Sequence, residues 1–257
     1  MDENNKEIKN IDEELHNRYN ELCKRIELGN DNKNCDDIKE MKNLLIDALI
    51  KYEAIKFGDF ILKSKRKSKY FVSTGFLNNA ISANIISFLI SNLILSKNIH
   101  FDYLFGASYK GIPIVSLTSH FLLNTNKFHN IFYLYDRKEK KEYGDKTIIV
   151  GNIKENDQDC VINNNCCNPQ FEKKNKKKVI IIDDVFTCGT ALTEIFNKMK
   201  YYPDLQVVAC IVLLNRNEHE INEHNEKVYF KDLFEQKHNI PIYSILNFEE
   251  DISHFVK

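Results

Sequence analysis

The stretch "KKVIIIDDVFTCGTALTEIF" constrains the fold of this chain more than any other. Four consecutive apolar residues, Val179 to Ile182, run straight into Asp183 and Asp184. An apolar run without polar alternation reads as a strand covered on both faces. Small residues follow, and then Leu192, Ile195, Phe196 and Met199 recur at helical spacing. The expected unit is therefore strand, tight loop, helix. Comparable runs, "FDYLF", "IFYLY", "TIIVG" and "LQVVACIVLL", are separated by helical segments. That rhythm predicts an α/β fold with an open, mostly parallel central sheet flanked by helices.

Two segments break the pattern. Residues 1–36 form a polar N-terminal extension, rich in Asn, Asp, Glu and Lys. Ile8, Ile11, Leu15, Tyr19 and Leu22 allow one amphipathic helix there, followed by a polar linker. Residues 37–257 form the main domain, interrupted at about 152–178 by a low-complexity insertion that ends in a basic run. The insertion has little periodicity and is expected to be mostly disordered. Within the domain, "DDIKEMKNLLIDALIKYEAI" reads as a helix with an Asp cap, "GDFILKS" and "SKYFVSTG" as strands around a basic turn, and "NNAISANIISFLISNLIL" as a buried helix.

Charge and cysteine usage exclude several classes. The formal net charge of -1 offers no global attraction to nucleic acid or to a membrane surface. The start "MDENNKEIKN" has no apolar core of a secretory signal, and "ANIISFLISNLIL" is too short and too polar to span a bilayer. Seven cysteines without a CxxC predict reduced thiols and a cytoplasmic location. Adjacent Cys166 and Cys167 are poorly spaced for zinc, and "HEINEH" lacks the spacing of HExxH.

In a parallel sheet, ligands bind beyond the carboxyl ends of the strands, where Asp183 and Asp184 emerge. The helix start after them presents free N–H groups to an anion, and Thr187 and Thr190 add hydroxyls. Carboxylates beside an anion cradle would repel a bare phosphate. They suit a ligand with phosphate at one end and hydroxyls, a cation or a developing positive charge nearby. A ribose phosphate with a reactive anomeric carbon is such a ligand. The plainer alternative is a cap and a turn residue in an ordinary strand-to-helix loop. A Walker A loop is excluded, because Thr190 and not Lys follows Gly189.

"VIIIDDVFTCGTA" resembles the phosphoribosyl-diphosphate-binding motif of the type I phosphoribosyltransferases. Four further stretches narrow the likeness to the orotate phosphoribosyltransferase family: "IKFGDFILKSKRKSKYF", "FDYLFGASYKGIPI", "YDRKEKKEYGD" and "VLLNRNE". The likeness covers roughly residues 40–150 and 178–257. Purine-salvage relatives usually carry Glu-Asp in the acidic pair, the uracil enzyme has a different loop, and neither has the FGxFxLxS segment. The resemblance implies the type I fold with a small N-terminal hood. It implies Mg²⁺-assisted transfer of ribose 5-phosphate from phosphoribosyl diphosphate to orotate, through an oxocarbenium-like transition state. The products are diphosphate and orotidine 5'-monophosphate, in de novo pyrimidine (UMP) biosynthesis.

The same resemblance assigns roles. Asp183 and Asp184 would hold the ribose hydroxyls, partly through metal-bound water, with no direct protein ligand to the metal. Val185, Phe186, Thr187, Cys188, Gly189, Thr190 and Ala191 would cradle the 5-phosphate. Tyr109 and Lys110 would form the diphosphate-binding turn, where Gly111 lets the helix start close to the ligand. Lys63 would reach donor and orotate, Phe71 would stack on the pyrimidine, and Val72, where the family often has a second Phe, would border it. Arg216 would meet the orotate carboxylate as a planar fork. Arg137, Lys138 and Lys141 would close over the leaving diphosphate. Tyr143 stands where the family commonly has His; a phenol of pKa about 10 donates a hydrogen bond but is a poor acid–base switch.

Each assignment has a plainer counterpart: a solvated basic turn, a strand-end Arg, an ordinary strand-to-helix turn, a charged hairpin. Cys188 reads as a tolerated small side chain, since no histidine lies beside it in sequence. The family's loop reaches over the neighbouring subunit, so a homodimer with shared sites is expected, one subunit's Asp183–Asp184 pair facing the other's Lys138 and Lys141. A complex with orotidine monophosphate decarboxylase stays open, because no decarboxylase domain is fused to this chain. Two alternatives stand beside this reading: a type I enzyme for another base, and a non-catalytic sensor of phosphoribosyl diphosphate. Such sensors usually lose the loop cations or the base pocket, and this chain keeps Lys63, Lys138, Lys141 and Arg216.

Overall fold

A computed structural model of the chain describes residues 3–61, 67–125, 127–128, 130–139, 148–153 and 176–256. Two helices come first, α1 (Glu3–Arg25) and α2 (Asp31–Lys51), followed by a hairpin of β1 (Ile55–Ile61) and β2 (Lys67–Val72). Next are α3 (Ala80–Ser96), β3 (Tyr103–Gly106), α4 (Gly111–Leu123), β4 (Phe132–Asp136) and β5 (Ile149–Val150). The chain continues through β6 (Lys177–Phe186), α5 (Thr190–Met199) and β7 (Leu205–Asn215). It ends with a small hairpin, β8 (His219–Ile221) and β9 (Lys227–Tyr229), then α6 (Phe230–His238) and β10 (Ile242–Asn247).

The central sheet has the order β10-β7-β6-β3-β4-β5. Every pairing is parallel except β4 with β5, where the return from the charged loop adds a short antiparallel edge. Period-two alternation sorts the apolar runs onto the two faces. Ile180 and Ile182 pack with α1 to α4, while Val179 and Ile181 pack with α5 and α6. Each fully buried Ile or Leu contributes about 1.5–3 kcal/mol. The near-continuous runs are thus the direct cause of the two-sided core. The strand order reverses between β3 and β6, and a crevice opens there at their carboxyl ends.

The N-terminal boundary differs from the sequence expectation. α2 begins at Asp31 and runs through residue 36, so no separate polar linker reaches that point. Leu15, Leu22 and Ile26 are buried in the same core cluster as α2 and α3. Asn34 is buried too, and its side-chain amide donates to the Glu27 carbonyl, folding the connection tightly onto α2. Arg18 pairs with Asp47 at 2.8 Å, and Lys51 and Tyr52 both reach Asp12. Polar composition concealed this docking because only one stripe of α1 is apolar.

At the insertion, Lys177 and Lys178 belong to β6. Its residues 154–175 lie outside the described residues, as do Lys63, Lys141 and Tyr143. No helix among the described residues is long and apolar enough to cross a membrane.

Candidate active site

Alternation along β6 sends its two aspartates in different directions. Asp183 lies on the side of Val179 and Ile181 and is buried, 7% exposed. Its Oδ1 accepts the backbone N–H of Asp184 at 2.8 Å. Burial pushes the Asp183 carboxyl well above the usual range, and the negative charge of Asp184 pushes the same way. The Asp184 N–H and Lys110 oppose that shift more weakly.

Asp184 faces the crevice. Its Oδ2 accepts the Thr74 hydroxyl at 2.5 Å and the Lys110 ammonium at 2.9 Å. Thr74 follows β2 and Lys110 follows β3, so three separate segments converge on one carboxylate oxygen. Sequence reading missed Thr74, which lies between the hood hairpin and α3 and carries no motif of its own.

The loop between β6 and α5 turns at Gly189, which has φ +80 and caps α5. A Cβ at Gly189 would meet Phe234 Cδ2 at 2.8 Å, so conformation and packing both demand glycine. Val185, Phe186, Thr187, Thr190 and Ala191 line a small hollow with Asp183 at the start of α5. The sulfur of Cys188 lies 3.3 Å from the Thr190 hydroxyl, and that hydrogen bond holds its thiol below the usual pKa. Thr187 assists from 3.9 Å.

On the β3 side, the Ala107 N–H donates to the Ile182 carbonyl at 3.0 Å, extending the β3–β6 pairing into the turn. Gly111 is also demanded by packing within the chain. A Cβ there would lie 2.5 Å from the Ile182 carbonyl oxygen, so glycine serves the packing of α4 on β6. Tyr109 is 61% exposed, and Lys138 Nζ lies 4.9 Å from the centre of its ring. Lys138 thus stands beside the turn of its own chain.

The hood hairpin alternates as well. Tyr70 is buried, with Ser68 and Val72 on its side, while Phe71 is exposed and lies 5.7 Å from Phe60. Arg216 leans on the buried side. Its guanidinium lies 4.6 Å from the Tyr70 ring centre, and Nε donates to the Tyr70 hydroxyl at 3.1 Å. Nη2 reaches Ser68 Oγ at 3.3 Å, and Glu218 pairs with Nε at 3.2 Å. Tyr70 is itself stacked on Phe248 at 3.8 Å. Tyr70, Ser68 and Glu218 were not picked out from sequence, although all three lie inside two of the quoted stretches. Among the described residues, no group of three or more His, Cys, Asp or Glu is placed to hold a metal ion.

The family of the phosphoribosyl transferase domain matches residues 73–243. Orotate phosphoribosyltransferase of Yarrowia lipolytica is 31% identical over 215 residues, which are 83% of this chain and 87% of that protein. The chain belongs to the orotate phosphoribosyltransferases. The family member of Hahella chejuensis is 30% identical, over 85% of this chain and 88% of that protein. The crystal structure of orotate phosphoribosyltransferase from Francisella tularensis matches with a TM-score of 0.60 and 27% identity. That match covers 82% of this chain and 89% of the other.

In this orotate phosphoribosyltransferase the raised pKa of Asp183 has a consequence for stability. The folded state binds the Asp183 proton more tightly than the unfolded chain does. The resulting stabilisation is complete below the unfolded carboxyl pKa and is lost as pH rises through the higher folded value. Asp183 should therefore contribute less to the Tm of the ligand-free protein as pH rises from acid to mildly alkaline, and Asp183→Asn should remove that contribution, so the wild-type and variant pH profiles should differ in slope. Melting curves across a pH series check this; parallel wild-type and variant curves would refute it.

Proposed function

We propose that the chain transfers ribose 5-phosphate from phosphoribosyl diphosphate to orotate, with Mg²⁺, as a homodimer in the cytoplasm. The convergence of Thr74, Lys110 and Asp184 beside the phosphate loop, at the switch point of the sheet, carries this reading. The N-terminus of α5 and the hydroxyls of Thr187 and Thr190 receive the 5-phosphate. Asp183 and Asp184 receive the ribose hydroxyls and favour positive charge developing on the ring. Lys110, Tyr109 and Lys138 line the side on which diphosphate leaves. Arg137 and Lys141 belong to the loop that closes over it and excludes water.

The donor set also suits a divalent cation. Asp183 and Asp184 offer two adjacent carboxylates at the carboxyl end of β6, and Asp183 is buried, its Oδ1 accepting the Asp184 N–H. Mg²⁺ bound to the donor would screen the diphosphate and improve it as a leaving group. Asp183 and Asp184 would hold it through water.

Phe71 and Val72 border the base, with Lys63 at the hood. Arg216 reads the orotate carboxylate, held in place by Tyr70, Ser68 and Glu218. Arg216→Lys keeps the charge but loses the planar stack and the fork. It should raise KM for orotate about tenfold and KM for the donor much less. Steady-state kinetics with each substrate varied check this; equal rises would contradict the carboxylate assignment.

Exposed apolar residues support self-association. Phe76, Leu117 and Leu123 are each at least 41% exposed, and Leu77, Ile114 and Leu117 border a cavity of about 390 Å³ beside Lys110. Apolar surface of this kind marks contact sites. The assay that tests the whole reading follows orotate absorbance with phosphoribosyl diphosphate and Mg²⁺, against uracil, hypoxanthine and adenine. Consumption of orotate alone is the expected result. Turnover of another base would favour the wider type I reading, and no turnover would favour a sensor.

A further inference from the structure

A buried charge pair lies behind the donor site. Asp136, the last residue of β4, is only 5% exposed. A carboxylate removed from water is costly unless charge and hydrogen bonds compensate it. Here the Lys198 ammonium pairs with Oδ2, and the backbone N–H of Ser108 donates to Oδ1 at 2.8 Å. The Ser108 hydroxyl donates to the Asp136 carbonyl. Lys198 Nζ also donates to the Arg137 carbonyl at 3.1 Å.

These bonds join three parts of the molecule. Ser108 precedes Tyr109 and Lys110 in the turn after β3. Arg137 is the first residue of the charged loop and precedes Lys138. Lys198 sits in the last turn of α5, about 12 Å along the helix from Thr190 at the phosphate cradle. Neither Asp136 nor Lys198 lines the hollow at the start of α5. Both act one step behind the residues that face the ligand.

We propose that Lys198 and Asp136 are positioning residues for the leaving-diphosphate half of the donor site. The ion pair fixes the spacing between the Ser108–Lys110 turn and the root of the loop. It also ties that spacing to α5, whose other end binds the 5-phosphate. Lys198 supplies the counter-charge of Asp136, whose Oδ1 accepts the Ser108 N–H, and it holds the Arg137 peptide with a second N–H. Without the ammonium, Asp136 loses its counter-charge, and the turn and the loop root lose their shared anchor. The phosphate cradle keeps its own determinants, Gly189 and the first turn of α5.

This inference rests on the donor-site reading, and two probes separate the two. Inorganic diphosphate, with Mg²⁺, reports the turn and the loop. Ribose 5-phosphate reports the cradle. Lys198→Met keeps the length of the stem and removes the charge. It should weaken diphosphate binding about tenfold, as expected when binding groups are displaced by a fraction of an ångström. Ribose 5-phosphate binding should stay within about twofold. Lys198→Arg should restore most of the diphosphate affinity. Asp136→Asn, which keeps the shape and an acceptor for Ser108, should mimic Lys198→Met and add little when combined with it, because the two act as one unit. Calorimetry on the full-length protein reads all four variants. Should Lys198→Met fail to fold, Asp136→Asn and Lys198→Arg carry the same comparison. Unchanged diphosphate affinity with a lower Tm would make the pair merely structural and overturn the proposal. So would equal losses for both probes. If the wild-type protein binds neither probe, the donor-site reading itself falls, and the proposal with it.

Discussion

Asp184→Asn is expected to lower kcat by about 10²–10³-fold, the cost of removing one preorganised electrostatic group from a developing charge. The carboxylate faces the crevice and draws in Thr74 and Lys110. An amide of the same size still accepts the Thr74 hydroxyl, so the hood keeps its link to β6. What is lost is the negative charge beside the ribose and the pairing with Lys110. Donor affinity should change less than kcat, because the phosphate loop and the turn keep their own donors. Folding should be spared, since Asp184 lies beyond the apolar run that forms the core. Initial rates with both substrates saturating, and a donor titration, check the expectation. Turnover within a few-fold of wild type would remove Asp184 from the chemistry.

The second large effect tests the shared site. Lys138 already stands at its own chain's Tyr109. Lys141, further along the same loop, is the cation to test. Lys141→Ala alone should be nearly inactive, and Asp184→Asn should be too. Mixed under conditions that exchange subunits, the two should regain activity. A heterodimer has one site with an intact Asp184 from one chain and an intact Lys141 from the other. Random exchange makes about half of all dimers heterodimeric, each with one working site of two, so about a quarter of wild-type activity returns. Tagged pull-down verifies exchange. Exchange without recovered activity would mean that Lys141 serves its own subunit.

Much of the site was legible because its pieces are short and local. "VIIIDDVFTCGTA" contains the strand, the acidic pair, the loop and the helix start within one continuous stretch. Period-two alternation then decides which aspartate is buried and which faces the crevice. Arg216 was legible as a strand-end cation, and the turn after β3 by the residues around Gly111. The packing demand on that glycine was not, because it comes from a carbonyl oxygen on a different strand.

By itself the sequence determined the parallel sheet, its two-sided core and the carboxyl-end location of the acidic pair. Hydrophobic periodicity and loop chemistry are properties of neighbouring residues, and they are readable wherever the pattern is unbroken. The tertiary structure alone decided which distant side chains meet: Thr74 with Asp184, Asp136 with Lys198, Arg216 with Tyr70, and α1 with the core. Arg216 and Tyr70 are 146 residues apart and Thr74 and Asp184 are 110 apart, so no local pattern links them. Thr74, Tyr70, Asp136 and Lys198 each look like ordinary residues in the sequence. Only the strand order, which sets β3 between β4 and β6 and folds the hood over the end of β7, buries them against one another and turns unremarkable Thr, Tyr, Asp and Lys residues into parts of the site.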